Sequence, residues 1–459
     1  MQPFGLPPAP GVAHRGSACL AFALAAWLTA FPAAAKLVVM HAHAEPTRAT
    51  LWIQTDAATT VTVSWRVEGE PADRALEFQA TATNDHVVVA RLTGLAAGGS
   101  APYHVRAGSE RFDGIVRTQP AWTKPGAAAE LTIALGSCFF LADSDPAISR
   151  QDYGQGFGIF AAIAAKKPDL MLWLGDNLYL QQPDFQDPAA MAARYRRQRA
   201  FLPLQALLTA TTHLAIWDDH DYGPNNSNTS FALKGETLTL FQRYWPNPDF
   251  GLPDVPGTFG VARYGDLTFF LLDDRYYRSP NGTPDGPAKT MFGRRQLEWL
   301  KQALIAAPRE GIKIIAGGNQ FWKPTGRFEG WHRYATERRA FADWLLAQQI
   351  EGVVFLSGDR HFGELLKIKR PNAYPLHEFT SSPLTSRPPA RLEEADRDNP
   401  DVVPGTQIVK RQFGLIRVAG PADDRRLSLE SYDGAGELLW RHEVRANDLR
   451  FSRGPGPRP

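Results

Sequence analysis

The chain has 459 residues, of which 44% are hydrophobic and 11% aromatic. This composition supports a globular protein of two or three packed domains and excludes a disordered chain. The 50 Lys+Arg residues nearly balance the 48 Asp+Glu residues. The sequence therefore lacks the basic excess typical of nucleic-acid-binding proteins, and no nucleic-acid partner is expected.

The first 35 residues have the pattern of a signal peptide. His14 and Arg15 precede an apolar run over residues 19–31, and three alanines ending at Ala35 offer a cleavage site. The run is too short for a comfortable membrane span, although an uncleaved anchor is the alternative. The sequence thus predicts an exported protein, periplasmic or extracellular, with no stable membrane insertion after removal of residues 1–35.

Residues 36–120 contain short segments in which apolar and polar residues alternate, such as TRATLWIQTD, ATTVTVSWRV and NDHVVVARLTGL. Such segments, separated by turn residues, predict a small all-β sandwich. The stretch VVVARLTGLAAGGSAPYHVRAG resembles the part of fibronectin type III-like domains where a Leu-x-Gly-Leu turn leads to a Tyr-bearing strand. We therefore expect an immunoglobulin-like domain at 36–120, followed by a Pro- and Gly-containing linker at 121–130.

From residue 131 the pattern changes to six nearly continuous apolar runs, each ending in a polar or glycine-rich cluster. The runs are LTIALGSC, DLMLWLGDN, THLAIWDDHD, LTFFLLDDR, IKIIAGGNQ and EGVVFLSGDRH. Such runs are typical of strands that are buried on both faces, and amphipathic helical segments lie between them. The alternation predicts a two-layered α/β domain whose functional groups collect at the carboxyl ends of the strands.

The C-terminal part predicts a β-hairpin followed by a disordered tail. Two alternating segments flank the turn sequence Asp-Gly-Ala-Gly at 433–436, which places the hairpin at the end of a catalytic domain over 131–446. Residues 447–459 are rich in Pro, Gly and Arg, so we expect them to be disordered.

The polar clusters behind the apolar runs combine oxygen, nitrogen and sulfur donors. They contain Cys138, Asp176, Tyr179, Asp218, Asp219, His220, Asp221, Asn319, Gln320, Asp359 and His361. Each has a structural alternative when taken alone, such as a core role for Cys138 or Tyr179 and a helix N-cap role for Asp176. Together they favour a metal site, because anionic donors neutralise highly charged cations and a shared aspartate could bridge two of them.

Two further features bear on this site. Cleavage after Ala35 would leave Cys138 as the single cysteine, which excludes an intrachain disulfide and suggests burial, a ligand role or a chemical task. Asp359 and His361 are two positions apart, so on an extended segment they point the same way, while Arg360 points away from the site.

The motifs GSC, GDNLY, WDDHD, LDDRYYR and SGDRH occur in an order that resembles the alkaline phosphatase D (PhoD-like) family of calcineurin-like metallophosphoesterases. The resemblance covers residues 131–361. It implies a metallophosphoesterase-like α/β domain, with sheets flanked by helices, behind an immunoglobulin-like domain. The Ser-Cys and Gly-Asp-Arg-His sequences depart from the broader superfamily and are themselves features of this branch.

The resemblance also implies two kinds of metal ion and their ligands. Iron(III) would be held by Cys138, Asp176, Tyr179 and His361. Calcium would lie beside it, with Asp176 bridging and with Asp219, Asp359 and Asn319 contributing. Asp218 remains an alternative to Asp219, and Gln320 an alternative to Asn319.

The expected activity is hydrolysis of phosphate monoesters by a metal-activated water or hydroxide. By resemblance, His220 would face the phosphoryl group and Asp221 would orient its ring. Arg275 is a candidate phosphate clamp, or else a structural ion-pair partner of Asp273 or Asp274. Phosphodiesterase or phospholipase D-type activity is the first alternative, and a non-catalytic protein that binds a surface polymer is the second.

Overall fold

The structure is a computed structural model that describes residues 36–121, 130–142, 154–309 and 311–452. The predicted signal peptide, residues 122–129 of the linker and residues 453–459 of the tail lie outside the described residues. The described residues belong to one compact unit. Within them, no helix is both long and apolar enough to cross a membrane.

The N-terminal region consists of two antiparallel sheets. Its strands are β1 (Leu37–Ala44), β2 (Arg48–Thr55), β3 (Thr59–Trp65), β4 (Arg74–Ala80), β5 (Val87–Thr93), β6 (Ser100–Ala107) and β7 (Glu110–Arg117). One sheet has the order β1-β2-β5 and the other β4-β3-β6-β7. Leu51 from the first sheet and Val63 from the second share one hydrophobic cluster, which confirms the predicted all-β sandwich.

The described residues from 130 onward contain twelve strands in two six-stranded sheets, which form the α/β catalytic domain expected from the sequence. They are β8 (Leu131–Gly136), β9 (Leu170–Leu174), β10 (Thr212–Ile216), β11 (Gly260–Tyr264), β12 (Leu267–Leu271), β13 (Ile312–Ala316), β14 (Val353–Ser357), β15 (Glu364–Ile368), β16 (Leu376–Thr380), β17 (Gln412–Ala419), β18 (Arg426–Asp433) and β19 (Leu438–Arg445). The six predicted apolar runs are β8, β9, β10, β12, β13 and β14.

The first sheet has the order β10-β9-β8-β17-β18-β19, and the second has the order β11-β12-β13-β14-β16-β15. Strands β8, β9 and β10 are parallel neighbours, as are β12, β13 and β14. Leu172 belongs to a cluster shared with Phe269 and Ile314 of the second sheet, whereas Trp173 packs with residues of the flanking helices. The alternation along β9 therefore buries one face against the other sheet and the opposite face against helices.

Eight helices accompany the strands of the described catalytic region. They are α1 (Gly158–Ala165), α2 (Pro188–Arg199), α3 (Leu202–Ala210), α4 (Asp219–Tyr222), α5 (Lys234–Tyr244), α6 (Arg294–Ala306), α7 (Ala335–Ala347) and α8 (Glu394–Arg397). The helical pattern expected around residue 200 forms two helices, because Phe201 is extended and a proline follows in the first turn of α3.

The C-terminal hairpin forms as predicted, since β18 and β19 pair antiparallel around the turn at 433–436. The expectation of disorder from residue 447 is wrong for residues 447–452. Leu449 is fully buried at the end of a short 3₁₀ helix, and the Phe451 ring packs against Tyr374 with 5.4 Å between centroids. Two apolar residues in a polar segment thus anchor the chain against the second sheet.

The sandwich packs against the first sheet's helical side through Trp52. This residue is fully buried, and its indole N–H donates to the backbone carbonyl of Arg243 at 2.7 Å. Its ring also contacts Tyr244 at 5.6 Å. An ion pair between Asp85 and Arg243 lies at the same interface. A mixed apolar and charged contact of this kind fixes the sandwich to the catalytic domain.

Candidate metal centre

The functional side chains lie where strands of both sheets end. Cys138 follows β8, Asp176 follows β9 and Asp219 follows β10, so three parallel neighbours deliver donors to one edge of the first sheet. Strand β14 of the second sheet delivers Asp359 and His361 to the same place. The carboxyl ends of parallel strands meet at one edge of each sheet, which is why separate motifs converge here.

Four of these residues adopt left-handed backbone conformations. The φ angles are 59° at Cys138, 50° at Asp176, 65° at Asp359 and 57° at His361. This region is uncommon for residues other than glycine and concentrates at functional sites. The sharp turns redirect the chain immediately after each strand, so that the side chains point into the site.

The first donor group joins Cys138, Asp176, Tyr179 and His361. One donor atom from each of Cys138, Asp176 and His361 lies within 4.8 Å of the others. The Tyr179 hydroxyl is 3.1 Å from Asp176 Oδ2 and 3.2 Å from His361 Nε2. The four residues named as iron ligands from the sequence are therefore adjacent in space.

The second donor group joins Asp176 with Asp219 and His220, again within 4.8 Å. Asp176 is common to both groups, which is the position expected of a bridging carboxylate. Oδ2 of Asp219 accepts the backbone N–H of Asn226 at 2.7 Å, while its buried Oδ1 has no hydrogen-bond partner among the described residues. Asp359 and Asp219 both line a cavity beside the two donor groups.

The electrostatics of the two groups are unfavourable without a cation. Burial, followed by the charges of Asp219 and Cys138, raises the pKa of Asp176 well above its usual value. Burial also raises the pKa of Asp359 to about 7 and that of the Cys138 thiol to about 12. Buried anionic donors with free lone pairs need a positive partner, so the donor set fits metal ions.

A loop at residues 382–387, called here the serine loop, holds three of the first group's residues. Ser382 Oγ lies 3.2 Å from Cys138 Sγ, and Ser386 Oγ donates to the Tyr179 hydroxyl at 3.0 Å. The carbonyl of Arg387 accepts from His361 Nδ1 at 2.9 Å. Because a carbonyl only accepts, Nδ1 carries the proton and Nε2 of His361 is left for a metal ion.

Sequence reasoning missed the serine loop. Its serines are small, polar and far along the chain, and Ser382 follows Cys138 at a sequence separation of 244. Serine and proline are the ordinary residues of a surface turn, and no spacing marks them as neighbours of a cysteine.

Asp221 has a different role from the expected one. Its carboxylate accepts the backbone N–H groups of Asn177 at 3.1 Å and 3.2 Å and of Asp218 at 3.0 Å, and it forms a capping box with Asp218 at the start of α4. No hydrogen bond joins it to the His220 ring, whose Nδ1 has no partner within the part of the chain described. Backbone donors at a helix start compete successfully for this carboxylate.

Arg275 is also placed differently. Its guanidinium is fully buried and pairs with Asp218 and with Glu329 at 2.7 Å, whereas its nearest approach to the Asp274 carboxylate is 3.9 Å. It does not line the cavity, so the clamp expectation is corrected, whereas the alternative of a structural ion pair with Asp274 is present at 3.9 Å beside two nearer partners. The guanidinium is already paired with these buried carboxylates, so it is not available to bind a substrate.

Asn319 lies in the same layer behind the cavity. Its side-chain N–H₂ donates to both oxygens of Asp218, at 2.9 Å and 3.2 Å, and its buried Oδ1 has no partner in the described ranges. The Gln320 amide donates instead to Glu364 at 2.7 Å. Since Asp218 is engaged by Arg275 and Asn319, the geometry favours Asp219 over Asp218 as a ligand.

Arg360 does not point away from the site. The extended backbone assumed for residues 359–361 ends at Ser357, and the left-handed turns that follow bring Arg360 to the cavity wall. Its guanidinium forms a buried ion pair with Asp396 at 2.6 Å. Side chains alternate between opposite faces only within a strand, and residues 359–361 lie beyond the end of β14.

The cavity beside the donor groups has a volume of about 960 Å³. Residues 222–262 and 276–290 contribute Asn225, Asn226 and Asn281 to the lining. Half of the lining residues come from 327–333 and 387–396.

The Arg275 ion pairs generate a stability prediction. Arg275→Met is expected to lower the free energy of unfolding by about 3–5 kcal/mol, because it leaves Asp218 and Glu329 buried without a counter-charge. Denaturant unfolding of the purified variant measures this change. A companion variant, Arg275→Met with Glu329→Gln, should recover part of the loss. A stable Arg275→Met protein with weakened substrate binding would contradict the structural role.

Comparisons with known proteins agree with this geometry. A family model described as PhoD-like phosphatase matches residues 146–419, and a model described as a domain of unknown function (DUF7800) matches residues 38–116. Alkaline phosphatase D from Bacillus subtilis (strain 168) is 25% identical over 301 residues, which are 54% of this chain and 48% of that protein. The chain thus matches about half the length of this curated relative.

Two solved structures share the fold. The structure of PhoD is similar with a TM-score of 0.71 and 19% identity, covering 89% of this chain and 91% of that chain. Purple acid phosphatase PPD1 from yellow lupin (Lupinus luteus) seeds gives a TM-score of 0.61 and 10% identity, covering 90% and 75%. These likenesses confirm the metallophosphoesterase-like fold. Because the PhoD-like phosphatase family model matches more than half of the chain, the chain belongs to the PhoD-like phosphatase family.

Proposed function

We propose that the chain is a metal-dependent phosphoesterase that hydrolyses phosphate monoesters, the activity of an alkaline phosphatase. One observation carries the proposal, namely that two donor groups share Asp176 at the wall of a large cavity. Two cations about 3.5–4 Å apart are the usual device for clamping a phosphoryl group during in-line displacement. Membership of the family supports a phosphoric ester as the substrate.

We infer iron(III) in the first donor group and calcium in the second. Thiolate, phenolate and carboxylate donors stabilise a highly charged cation, which suits Cys138, Tyr179 and Asp176. Calcium prefers oxygen donors, which suits Asp219 together with Asp359 and the free Oδ1 of Asn319. When bound, such cations neutralise the phosphoryl oxygens and lower the pKa of water.

His220 is the residue best placed to handle a proton. Its ring stacks on Tyr179 with 4.3 Å between centroids, and its backbone N–H donates to Asp176 Oδ1 at 3.2 Å. Both contacts hold the imidazole at the cavity wall beside the donor groups. From there a ring nitrogen can donate a hydrogen bond to a phosphoryl oxygen, or a proton to the leaving ester oxygen.

Asp176→Asn tests the shared donor. This change is expected to lower phosphatase activity by more than about 100-fold and to reduce the metal content, because the amide has one acceptor oxygen and no charge. Initial rates with p-nitrophenyl phosphate and elemental analysis measure both effects. Asp254→Asn, an exposed aspartate paired with Arg295, is the matched control. Unchanged metal content and activity in Asp176→Asn would refute the proposal.

Tyr179→Phe tests the identity of the metal. A tyrosinate bound to iron(III) absorbs visible light, so the purified protein is expected to be coloured and the variant to lose the band. Tyr276→Phe, outside both donor groups, should keep the colour. A colourless wild type that is active with zinc or magnesium alone would contradict the iron assignment.

We further propose that the chain is exported and that cleavage follows Ala35. The proposal rests on the sequence pattern alone, since residues 1–35 lie outside the described part of the chain. N-terminal sequencing of the protein recovered outside the cytoplasm should begin at Lys36. Recovery of the full-length chain in the cytoplasm only would contradict export.

A further inference from the structure

The cavity lining extends beyond the two donor groups and contains arginines together with the carboxylates of Glu329, Glu393 and Asp396. The five arginines are Arg327, Arg333, Arg360, Arg387 and Arg391. A reacting phosphate bound at Asp176 and Asp219 does not engage all of these arginines. The lining therefore offers positive charge that the proposed hydrolysis of a simple monoester does not use.

These arginines differ in how far they are already engaged. Arg360 is paired with Asp396, and Arg333 donates to the backbone carbonyls of Phe328 and Arg327. By contrast, the side chains of Arg387 and Arg391 are exposed and have no ion pair or hydrogen bond with any described residue. Two guanidinium groups with free donors remain at the cavity wall.

Arg387 has a fixed place relative to the metal centre. Its own carbonyl accepts from His361 Nδ1 at 2.9 Å, so its backbone is fastened to a proposed iron ligand. Pro388 and Pro389 follow and restrict the chain that leads to Arg391. Four residues span at most about 14 Å, so Arg391 lies within that distance of Arg387 on the same cavity wall.

An aromatic surface lies in the same cavity. Phe140 and Phe362 are buried in the lining, whereas Phe328 is 45% exposed, which is unusual for so large an apolar side chain. The guanidinium of Arg360 lies 4.7 Å from the centre of the Phe328 ring. An apolar spacer of a ligand can pack on this ring and remove its surface from water.

We propose that Arg387 and Arg391 form a distal anion subsite. The preferred substrates are then phosphate esters whose alcohol carries a second anionic group, a phosphate or a carboxylate, behind a short apolar chain that packs on Phe328. A guanidinium pairs two oxygens of such a group at once, which makes recognition directional. The inference rests on the proposed function, because it assigns the substrate class of the same site.

The competing explanation is that the arginines are solvated surface charges that attract every anion equally. General attraction raises the rate for all phosphate esters and weakens alike for all of them as salt is added. A subsite instead distinguishes two esters that differ only at the distal end. The test therefore compares esters with identical reacting groups.

The experiment uses the metal-loaded full chain with hexyl phosphate and hexane-1,6-diol bisphosphate, and phosphate release is measured. After division by two for the equivalent phosphates, kcat/KM for the bisphosphate is expected to be about ten-fold higher. The variant R387Q/R391Q should abolish this preference, so that kcat/KM per phosphate becomes about equal for the two esters. The substitution keeps the backbone carbonyl that His361 uses, so the metal content should not change.

The matched control is R91Q/R106Q, which removes the same charge from β5 and β6 of the sandwich and should leave the preference intact. Equal kcat/KM values for the two esters in the wild type would overturn the inference. An equal fall for both esters in R387Q/R391Q, or an equal effect in the control, would also overturn it.

A binding measurement separates this inference from the proposed function. Hexane-1,6-diyl bisphosphonic acid and hexylphosphonic acid are not hydrolysed, and calorimetry gives their affinities for the wild type and for R387Q/R391Q. If neither ester is turned over, the proposed function fails, and about ten-fold tighter bisphosphonate binding that R387Q/R391Q abolishes still supports the subsite. Equal affinities for the two phosphonates would overturn it.

Discussion

Repulsion among buried acidic groups around Asp176 is the constraint on which the rest of this structure depends. Aspartates from three strand ends, with a thiol and a phenol, occupy a space too small for their charges to coexist in a dry interior. The negative charge is compensated in two ways. In the layer behind the cavity a permanent cation, Arg275, compensates Asp218 and Glu329. At the cavity itself Arg275 approaches the donor groups at Asp219 Oδ1, at 3.9 Å, which leaves most of that task to metal ions.

The two layers also explain why neighbouring aspartates in one motif have separate functions. Asp218 is committed to protein partners, Asp219 keeps a free oxygen toward the second donor group, and Asp221 accepts backbone N–H groups at the start of α4. The short helix turns consecutive side chains to different sides, so a run of three acids around His220 serves structure and chemistry at once. Because Asp218 and Asp221 bind groups in the protein core, the packing of the core also fixes the position of Asp219.

Much of the fold could be predicted from the sequence, because an apolar run that ends in acidic residues indicates both a buried strand and the position where that strand ends. The six runs and the convergence of Cys138, Asp176 and His361 follow from that pattern. Of the partners of Arg275, Asp274 could be predicted from its place in the sequence, but Asp218 could not, since it is 57 positions away. Arg360 was misplaced because alternation applies only inside a strand, and nothing local shows that β14 ends at Ser357.

The placement of β17 has a consequence for when the site can form. This strand, at residues 412–419, pairs with β8 in the middle of the first sheet. The serine loop that holds Cys138, Tyr179 and His361 lies just upstream of it, before α8, in the chain's C-terminal third. The donor set is therefore incomplete until nearly the whole polypeptide has been synthesised and folded. If the proposed export carries the chain across the membrane unfolded, metal acquisition takes place on the far side. The composition of that compartment, and not the cytoplasmic metal pool, then decides which ions occupy the centre.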